Sequence, residues 1–411
     1  MTDLPKLTIV IPTLNRCDTL NWSLRTVIEQ NYPNLNIVVS DNCSEDETFG
    51  IVHKYTHPRL KYVRTPRRFT MLEHFEYALN YVTEGYISFL GDDDGFLPNA
   101  VAKVADIIKK HSPLAVGWRF GNYNWPGLPG YFMIPMANYY RIIDSKTEIQ
   151  NIFTKNIYQA ICFPSLYGGF ISIELVNKIK NKYDGYFFHS RIPDFFSGAF
   201  IAANVENYIR LEFPITINAT SAKSAGFATV NTKVDQKPFE GLKHDSGNVP
   251  FHPSLKFIRC NVVPIADALL QVNKLVPCFP KLDMKKVITE IIMELEGEQD
   301  ENKYRELYDG VKEIGRLNGL TVFAESALSG MKRNPQPWVV KRKFSPVSIS
   351  LYMDSEINKI ENVYQAAALT NELISRKYFL LENSLQLQWV RIAQFLNFLK
   401  YKFVTKKGLK F

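Results

Sequence analysis

The sequence predicts an α/β fold with a Rossmann-like, doubly wound and mostly parallel sheet, followed by an α-helical C-terminal part. Two observations lead to this prediction. Short apolar runs alternate with amphipathic helical patterns over the first hundred residues, which is typical of consecutive βαβ units. From about residue 250 onward the pattern is mainly helical. We therefore expect one domain over residues 1–235 and a mainly helical region over residues 236–411.

The elements of the first hundred residues follow from their residue patterns. Continuous apolar runs, as expected for strands buried on both faces, occur at Leu7–Ile11, Ile37–Val39, Leu60–Val63 and Tyr86–Leu90. Helical spacing of apolar residues follows each run. Asp18 is expected to cap the first helix, a capping box of Ser44 and Glu47 to open the second, and Pro98 to open the fourth.

The next segment, from about residue 114 to residue 235, has a looser pattern. Strand-like pieces at Leu114–Arg119, Gly169–Ile173 and Pro214–Ala219 alternate with aromatic loops rich in Gly and Pro. We interpret it as a mixed extension of the same domain. Residues 219–248 are rich in Ser, Gly, Thr and Lys, which predicts either a mobile lid or a linker.

Composition excludes several classes of protein. Of 411 residues, 46% are hydrophobic and 22% charged, which argues against a mainly disordered chain. No apolar run reaches the roughly 18 residues of a membrane-spanning helix, and the N-terminus lacks the pattern of a secretory signal. The five cysteines are scattered without CxxC spacing, so we expect neither disulfides nor a zinc site, and a cytoplasmic location.

The basic residues are concentrated at the C-terminus. The formal charge is +8, and no acidic residue follows Glu382. Residues 391–411 combine six basic side chains with an apolar helical face, which predicts either an interfacial helix on anionic lipid or a C-terminal helix packed on its own domain. The first alternative would make the protein peripheral on the inner face of the membrane. The uneven charge argues against a nucleic-acid partner.

Three polar segments follow the predicted strands, at Pro12–Arg16, Ser40–Asp46 and Gly91–Gly95. The carboxyl ends of parallel strands lie at one edge of a sheet, where such folds bind ligands. The consecutive carboxylates Asp92–Asp94 repel one another, and a divalent cation shared with substrate phosphates removes that cost. The alternative is a solvated acidic turn before a helix.

These motifs, IPTLNR, SDNCSED and FLGDDDGFLP, occur in an order and at a spacing that resemble the nucleotide-diphosphosugar transferases of glycosyltransferase family 2. The resemblance covers about residues 5–120 and, more weakly, residues 165–215. It implies a GT-A fold, a nucleotide-sugar donor and Mn²⁺ or Mg²⁺ as cofactor. It also implies that residues of the first two loops contact the donor, namely Pro12, Thr13, Asn15, Arg16, Asp41 and Asn42. Within this set, Asp41 matches the acid that reads the base.

The resemblance also assigns roles to the acidic motif. Asp92 and Asp94 fit its D-x-D pattern, so that Asp92 or Asp93 contacts the ribose or sugar, and Asp94 binds the metal with Asp92. Many relatives have an acid where Gly91 stands here, which leaves open which aspartate binds the metal. Arg68, after the third predicted strand, is expected either to pair with a phosphate or to be solvated.

The attacking hydroxyl needs a general base. Relatives place an acid about a hundred residues after the metal motif, and Asp194 in RIPDFFSGAF matches this position. Its alternative role is a plain helix cap; Asp184 and Glu174 are weaker candidates. His189 and His244 are each either a third metal ligand or an ordinary surface histidine. Gly168–Gly169 either let a substrate approach the backbone closely or form a tight turn. A sugar-stacking platform is considered for three aromatic residues that also suit a packed core, Tyr123, Trp125 and Tyr131.

The function predicted is metal-dependent, inverting transfer of a sugar from a nucleotide sugar, with UDP-sugar as the first choice, to a hydroxyl of a glycan or lipid-linked glycan. One alternative is a non-catalytic scaffold at a membrane surface. The other is a sugar nucleotidyltransferase, which needs a Gly-rich loop where PTLNR has no glycine. The helical C-terminal part offers a surface for a homo-oligomer.

Overall fold

The computed structural model describes residues 4–228, 249–335 and 350–375. The predictions for His244, for most of the 219–248 loop and for the basic tail at 391–411 fall outside these ranges. Within the described ranges, no helix combines the length and apolar character needed to cross a membrane.

One mixed sheet organises the described part of the chain. Its strands are β1 Leu7–Thr13, β2 Leu35–Asp41, β3 Leu60–Arg64, β4 Tyr86–Phe89, β5 Gly95–Phe96, β6 Ala115–Asn124, β7 Phe132–Pro135, β8 Tyr140–Asp144, β9 Gly169–Ser172, β10 Asn207–Thr220 and β11 Ser350–Met353. The strand order is β11-β7-β6-β9-β4-β1-β2-β3, and β10 pairs with β5, β6 and β8. Neighbouring strands from β4 to β3 run parallel, as the βαβ pattern predicted.

Helices flank this sheet. They are α1 Cys17–Ile28, α2 Thr48–His53, α3 Met71–Leu79, α4 Ala100–His111, α5 Ser145–Lys155, α6 Ile173–Lys182, α7 Pro193–Ala202, α8 Ala225–Ala228, α9 Val262–Leu275, α10 Met284–Gly297, α11 Glu301–Leu317, α12 Thr321–Gly330 and α13 Val363–Ser375, with a 3₁₀ helix at Ile157–Cys162. The predicted α/β class with a helical C-terminal part is confirmed. Beyond β4 the sheet is mixed, because β9 runs antiparallel to both β4 and β6.

The core has one apolar cluster on each face of the sheet. In β1, Ile9 and Ile11 belong to the cluster that includes α1, α4 and α13, whereas Val10 belongs to the cluster that includes α3, α6 and α7. Because side chains alternate along a strand, burial on both faces requires the continuous apolar run that marks β1 in the sequence. Each fully buried Ile or Val contributes about 1.5–3 kcal/mol to folding.

The helical C-terminal part extends the second of these clusters. Residues of α9, α10, α11 and α12 share it with α7, and α9 packs against α7. The chain then returns to the sheet, where β11 pairs antiparallel with β7 and the Tyr123 hydroxyl donates to the carbonyl of Ile360 at 3.0 Å. The four-residue β11 lies in the region predicted as mainly helical, and the boundary at residue 235 stays a prediction.

Two predicted helix caps are wrong. Helix α1 begins at Cys17, before Asp18, with Arg16 as its cap residue, and α2 begins at Thr48 without a side-chain cap from Ser44. The Ser44 hydroxyl instead accepts a hydrogen bond from the backbone N–H of Asn15 at 2.9 Å. A side chain that hydrogen-bonds to a neighbouring loop cannot also cap its own helix. The local sequence pattern does not show which of the two bonds forms.

Candidate active site

The three polar segments meet at the carboxyl ends of β1, β2 and β4, as predicted. The Thr13 hydroxyl donates to Oδ2 of Asp92 at 2.7 Å, which joins the first segment to the third. Asn15 joins the first to the second, because its side-chain oxygen accepts from the N–H of Glu45 at 2.7 Å. Asn15 has φ of +54°, a left-handed conformation that asparagine tolerates better than most residues. Pro12 is buried within β1 and lies opposite Ser40 of β2.

Arg16 lies on the acidic motif. Its Nη2 donates to Oδ2 of Asp93 at 2.5 Å and lies 3.6 Å from Oδ1 of Asp92. The same nitrogen donates to the hydroxyl of Ser221 at 2.8 Å. Burial alone would lower the pKa of this guanidinium, but the charges of Asp92 and Asp93 raise it overall, so Arg16 stays charged. Its Nε is buried without a hydrogen-bond partner in the described part of the chain.

The remaining aspartate of the motif is held by the backbone. Asp94 accepts from the N–H of Ala219 at 2.6 Å and from the N–H of Gly91 at 3.2 Å. Burial, followed by the charge of Asp93, raises its pKa well above the ordinary value. Burial also raises the pKa of Asp92 to about 6, although the charge of Arg16 opposes the shift. Arg16 therefore offsets only part of the electrostatic cost of the motif.

The chemistry of these side chains fits a hard cation shared with a ligand. Among residues 4–228, 249–335 and 350–375, no group of three or more His, Cys, Asp or Glu side chains is arranged to hold a metal ion. Mg²⁺, however, commonly binds one or two carboxylates and completes its coordination with substrate phosphates and water. The raised pKa values of Asp92 and Asp94 show the repulsion and desolvation that such a cation would relieve.

Asp41, at the end of β2, is fully buried and accepts three hydrogen bonds. It accepts from the N–H of Ser44 at 2.8 Å, from the Tyr62 hydroxyl at 2.5 Å and from Nη1 of Arg64 at 2.9 Å. Sequence reasoning missed Tyr62 and Arg64. Their signal was available in β3, since Arg64 lies directly opposite Asp41 in the parallel register and Tyr62 is on the same face.

The other two residues predicted in this region have different environments. The Asn42 side chain pairs with the backbone of Phe69, accepting from its N–H at 2.8 Å and donating to its carbonyl at 2.9 Å, and it thereby fixes the loop before α3. Arg68 is exposed in that loop, and its side chain has no ion-pair partner within the described ranges. Its contact with a phosphate stays a prediction.

Asp194 lies in the first turn of α7, which begins at Pro193 as predicted. The helix is tied to the end of β4 through a short relay. The Ser197 hydroxyl donates to the carbonyl of Asp194 at 2.9 Å and accepts from the N–H of Leu166 at 3.3 Å, while the carbonyl of Leu166 accepts from the N–H of Phe89 at 2.7 Å. Desolvation of its carboxyl group raises the pKa of Asp194.

Tyr167 is a site residue that the sequence did not suggest. Its ring packs against Phe75 and Phe89, with centroids 5.8 and 5.9 Å away. Desolvation raises the pKa of its hydroxyl well above the ordinary value, and the negative charge of Asp194 adds to this shift, as do those of Asp92–Asp94. The charges of Asp194 and of the acidic motif therefore act on the same hydroxyl, although about a hundred residues separate them in sequence.

The other candidate residues lie in positions explained by packing or by surface exposure. A Cβ on Gly169 would lie 2.7 Å from two backbone oxygens, so this glycine permits close strand packing. Tyr123 and Trp125 are buried in the core. His189 contacts the carbonyl of Tyr186 at 3.1 Å, and Glu174 is exposed on α6.

The part of the chain that carries the strand-end motifs is similar to known proteins. Residues 8–167 match the family model described as glycosyl transferase family 2. The UDP-Glc:alpha-D-GlcNAc-diphosphoundecaprenol beta-1,3-glucosyltransferase WfgD of Escherichia coli is 26% identical over 132 residues, which cover 31% of this chain and 51% of WfgD. The GalNAc(5)-diNAcBac-PP-undecaprenol beta-1,3-glucosyltransferase of Campylobacter jejuni is 28% identical over 102 residues, which cover 24% of this chain and 33% of that protein.

Among solved structures, S. aureus TarS 1–349 in complex with UDP-GlcNAc aligns with a TM-score of 0.49 and 14% identity, covering 78% of this chain and 88% of that one. The chain spans about half the length of WfgD and about a third of the length of the Campylobacter protein. The family match includes all three strand-end motifs and Tyr167. Residues 8–167 of this chain therefore carry the pattern of glycosyltransferase family 2, as the motifs predicted.

Proposed function

We propose that the protein is a metal-dependent inverting glycosyltransferase that moves a sugar from a nucleotide sugar, a UDP-sugar, to a hydroxyl of a glycan or lipid-linked glycan. One observation carries the proposal. Hydrogen bonds through Leu166 and Ser197 join the end of β4, which comes just before the acidic motif, to the first turn of α7, which holds the acid matching the base position, Asp194. An inverting transferase needs both groups near one anomeric carbon, because the diphosphate leaves from one side of that carbon and the hydroxyl attacks from the other.

The donor side of the reaction is assigned to the strand-end loops. The residues proposed to contact the nucleotide sugar are Pro12, Thr13, Asn15, Arg16, Asp41, Asn42, Arg68, Asp92 and Asp93. Asp94 and Asp92 are proposed to hold Mn²⁺ or Mg²⁺, which when bound supplies Lewis-acid stabilisation of the departing diphosphate. Arg16 keeps a permanent positive charge beside Asp92 and Asp93, so that an anionic diphosphate meets less repulsion there.

The acceptor side is assigned to Asp194. As the acceptor oxygen forms its bond to the anomeric carbon, the bond from that carbon to the diphosphate oxygen breaks, and the hydroxyl proton passes to the carboxylate of Asp194. A base works best when its pKa is close to the operating pH, and desolvation moves the pKa of Asp194 in that direction. Attack opposite the leaving group inverts the anomeric configuration.

The names of the two relatives support the choice of substrates. WfgD is named for a UDP-Glc donor and a diphosphoundecaprenol acceptor, and the Campylobacter enzyme also for an undecaprenol-linked acceptor. A lipid-linked acceptor would bring this protein to the inner surface of the membrane. The basic tail at 391–411, outside the described residues, has the composition for contact with anionic lipid.

The test begins with the donor. Nucleoside diphosphates and their sugars are screened by thermal shift with Mn²⁺, with Mg²⁺ and with EDTA, and we expect UDP-sugars to stabilise the protein only when the cation is present. Release of UDP from the stabilising UDP-sugar, with water as acceptor, then measures turnover. Absence of any stabilisation by UDP or a UDP-sugar would contradict the choice of donor.

Three variants then separate the two sides of the site. Asp94→Ala should lose both cation-dependent binding and turnover, whereas Asp194→Ala should bind the donor normally and lose turnover. Glu174→Ala, which removes an exposed carboxylate from α6, is the control and should match the wild type. Unchanged turnover in both aspartate variants would refute the assignment of the site.

A further inference from the structure

The helical C-terminal part contains a buried acid that the proposed reaction does not use. Asp267, on α9, has no exposed surface. Its Oδ1 accepts from the N–H of His252 at 2.8 Å and from Nε2 of Gln271 at 3.3 Å, and its Oδ2 accepts from the Ser190 hydroxyl at 3.3 Å. Burying a carboxylate between helices costs free energy that a packed apolar side chain would not. We therefore looked for a function in the residues that Asp267 binds.

One of these contacts leads directly to the N-terminus of α7. The Ser190 hydroxyl, also fully buried, accepts from the N–H of Ile192 at 3.2 Å. Ile192 is the cap residue of α7, two positions before Asp194. A chain of hydrogen bonds therefore runs from Asp267 through Ser190 to the backbone that sets the first turn of the helix. The N–H groups of a first helical turn have no partner within the helix, so an outside acceptor fixes their position.

A second contact holds the same loop. Nε of Arg191 donates to the carbonyl of Val249 at 2.9 Å, and α9 packs along α7. The residues just before Asp194 are thus bonded to two separate pieces of the helical part, one at residues 249–252 and one on α9. These contacts lie outside the 8–167 segment that matches the family model.

We propose that the helical part positions the general base, with Ser190 and Asp267 acting as positioning residues for Asp194. This inference rests on the proposed function of Asp194. Ser190 and Asp267 touch neither the donor nor the acceptor, and they hold the first turn of α7 so that the carboxylate of Asp194 meets the attacking hydroxyl. A displacement of about 1 Å in a catalytic group can lower a rate by as much as about a hundredfold.

The first experiment compares Ser190→Ala with a control on the same helical part. Ser190→Ala removes both bonds and leaves a small buried residue. Asn273→Ala removes the bonds from Asn273, six residues after Asp267 on α9, to the carbonyls of Phe279 and Pro280, and it leaves Ser190 and Asp267 intact. Turnover is UDP release from the UDP-sugar that the thermal-shift screen selects. We expect Ser190→Ala to lower kcat about tenfold or more with donor KM within about twofold, and Asn273→Ala to leave both unchanged.

The second experiment tests whether the effect passes through Asp194. In an Asp194→Ala background, Ser190→Ala should change the residual rate by less than about twofold, because a positioning residue has nothing left to position. Asp267→Asn keeps the side-chain volume and an oxygen acceptor for His252, but an N–H₂ group replaces the acceptor that faces Ser190. This variant should also lower kcat without changing KM. It provides the same test if Ser190→Ala does not fold.

The outcomes separate this inference from the proposed function. If Asp194→Ala retains full turnover, the base assignment fails and the positioning role fails with it. If Asp194→Ala is inactive while Ser190→Ala and Asp267→Asn keep the wild-type kcat, only the positioning role fails. A loss of kcat that is equal in the presence and absence of Asp194 also overturns it, since the effect would then be general.

Discussion

Thr13 and Asp92 are joined by a hydrogen bond of 2.7 Å, from the hydroxyl that ends β1 to a carboxylate that follows β4. The two strands are neighbours in the parallel sheet, so their carboxyl ends lie side by side. Asp92 is a buried group with a raised pKa, and the hydroxyl of Thr13 opposes that shift by donating to the ionised form. The bond therefore favours the ionised form of the carboxylate and fixes its direction.

We expect Thr13→Val, which keeps the branched shape and removes the hydroxyl, to lower the free energy of unfolding by about 1.5–3 kcal/mol, as for other hydrogen bonds to charged groups. Urea denaturation measures this. The control is Thr8→Val on the same strand, since Thr8 is buried and its hydroxyl makes no hydrogen bond within the described ranges. An equal loss of unfolding free energy in the two variants would show that the bond to Asp92 does not stabilise the fold.

Local patterns predicted the part of the site that depends on one strand and its following loop. The apolar run of β1, the acidic motif after β4 and Pro193 at the start of α7 can each be read from a few consecutive residues. The parallel order of the strands then brings the loops to one edge without further information. For these features, the sequence and the structure agree.

The remainder of the site depends on contacts between distant residues. Tyr167 packs against Phe89 at the end of β4 because the chain doubles back to pair β9 with β4 in antiparallel fashion. Ser190 and Asp267 are 77 positions apart in sequence. Neither side chain belongs to a motif, and only the packing of α9 on α7 brings them together. Periodicity gives no information about such pairs.

Arg16 is the cation that compensates Asp92 and Asp93. Arg16→Met keeps much of the length and removes the charge, leaving two buried carboxylates uncompensated. We expect the free energy of unfolding at neutral pH to fall by about 3–5 kcal/mol, as when one partner of a buried pair is removed. Arg316→Met, which removes an exposed pair with Glu313 on α11, should leave the free energy of unfolding almost unchanged, because solvent screens the pair. Comparable losses in the two variants would contradict the compensating role of Arg16.

Tyr62 donates to the buried carboxylate of Asp41, and burial followed by this bond raises the pKa of its phenol to about 12, so it stays a donor at neutral pH. We expect Tyr62→Phe to lower the free energy of unfolding by about 1.5–3 kcal/mol. Tyr86→Phe, which loses a 2.8 Å bond to the neutral carbonyl of Pro113, should cost only about 0.5–1.5 kcal/mol.

The same pair of variants tests the nucleotide site. If Asp41 contacts the base as proposed, its orientation matters, so Tyr62→Phe should weaken UDP binding by several-fold in calorimetric titrations with Mn²⁺. Tyr86→Phe should bind UDP like the wild type. Wild-type affinity in Tyr62→Phe would show that Tyr62 does not orient a nucleotide-binding group.

Asp267 gives a pH dependence with a defined sign. Burial raises its pKa from an ordinary 3.8 to about 6 in the folded protein, although its hydrogen bonds oppose the shift. Between these values the folded state keeps a proton that the unfolded state releases, so Asp267 contributes stability at low pH that is lost as the pH rises through about 6. Relative to Asp267→Asn, the wild type should therefore lose up to about 3 kcal/mol of unfolding free energy between pH 4 and pH 7.

Urea denaturation of both proteins across this pH range provides the measurement. Burial lowers the pKa of His252 to about 4, so its contribution to stability rises with pH, opposite to that of Asp267. His252 is present in both proteins, and its contribution cancels in the difference. Asp46→Asn is a control in which the pH dependence should have the opposite sign. Burial alone would raise the pKa of Asp46, but hydrogen bonds from Thr48 and Cys17 outweigh it and lower that pKa. There the wild type should gain stability over the variant as the pH rises. A difference between wild type and Asp267→Asn that stays constant with pH would show that Asp267 titrates normally, and that its burial carries no electrostatic cost.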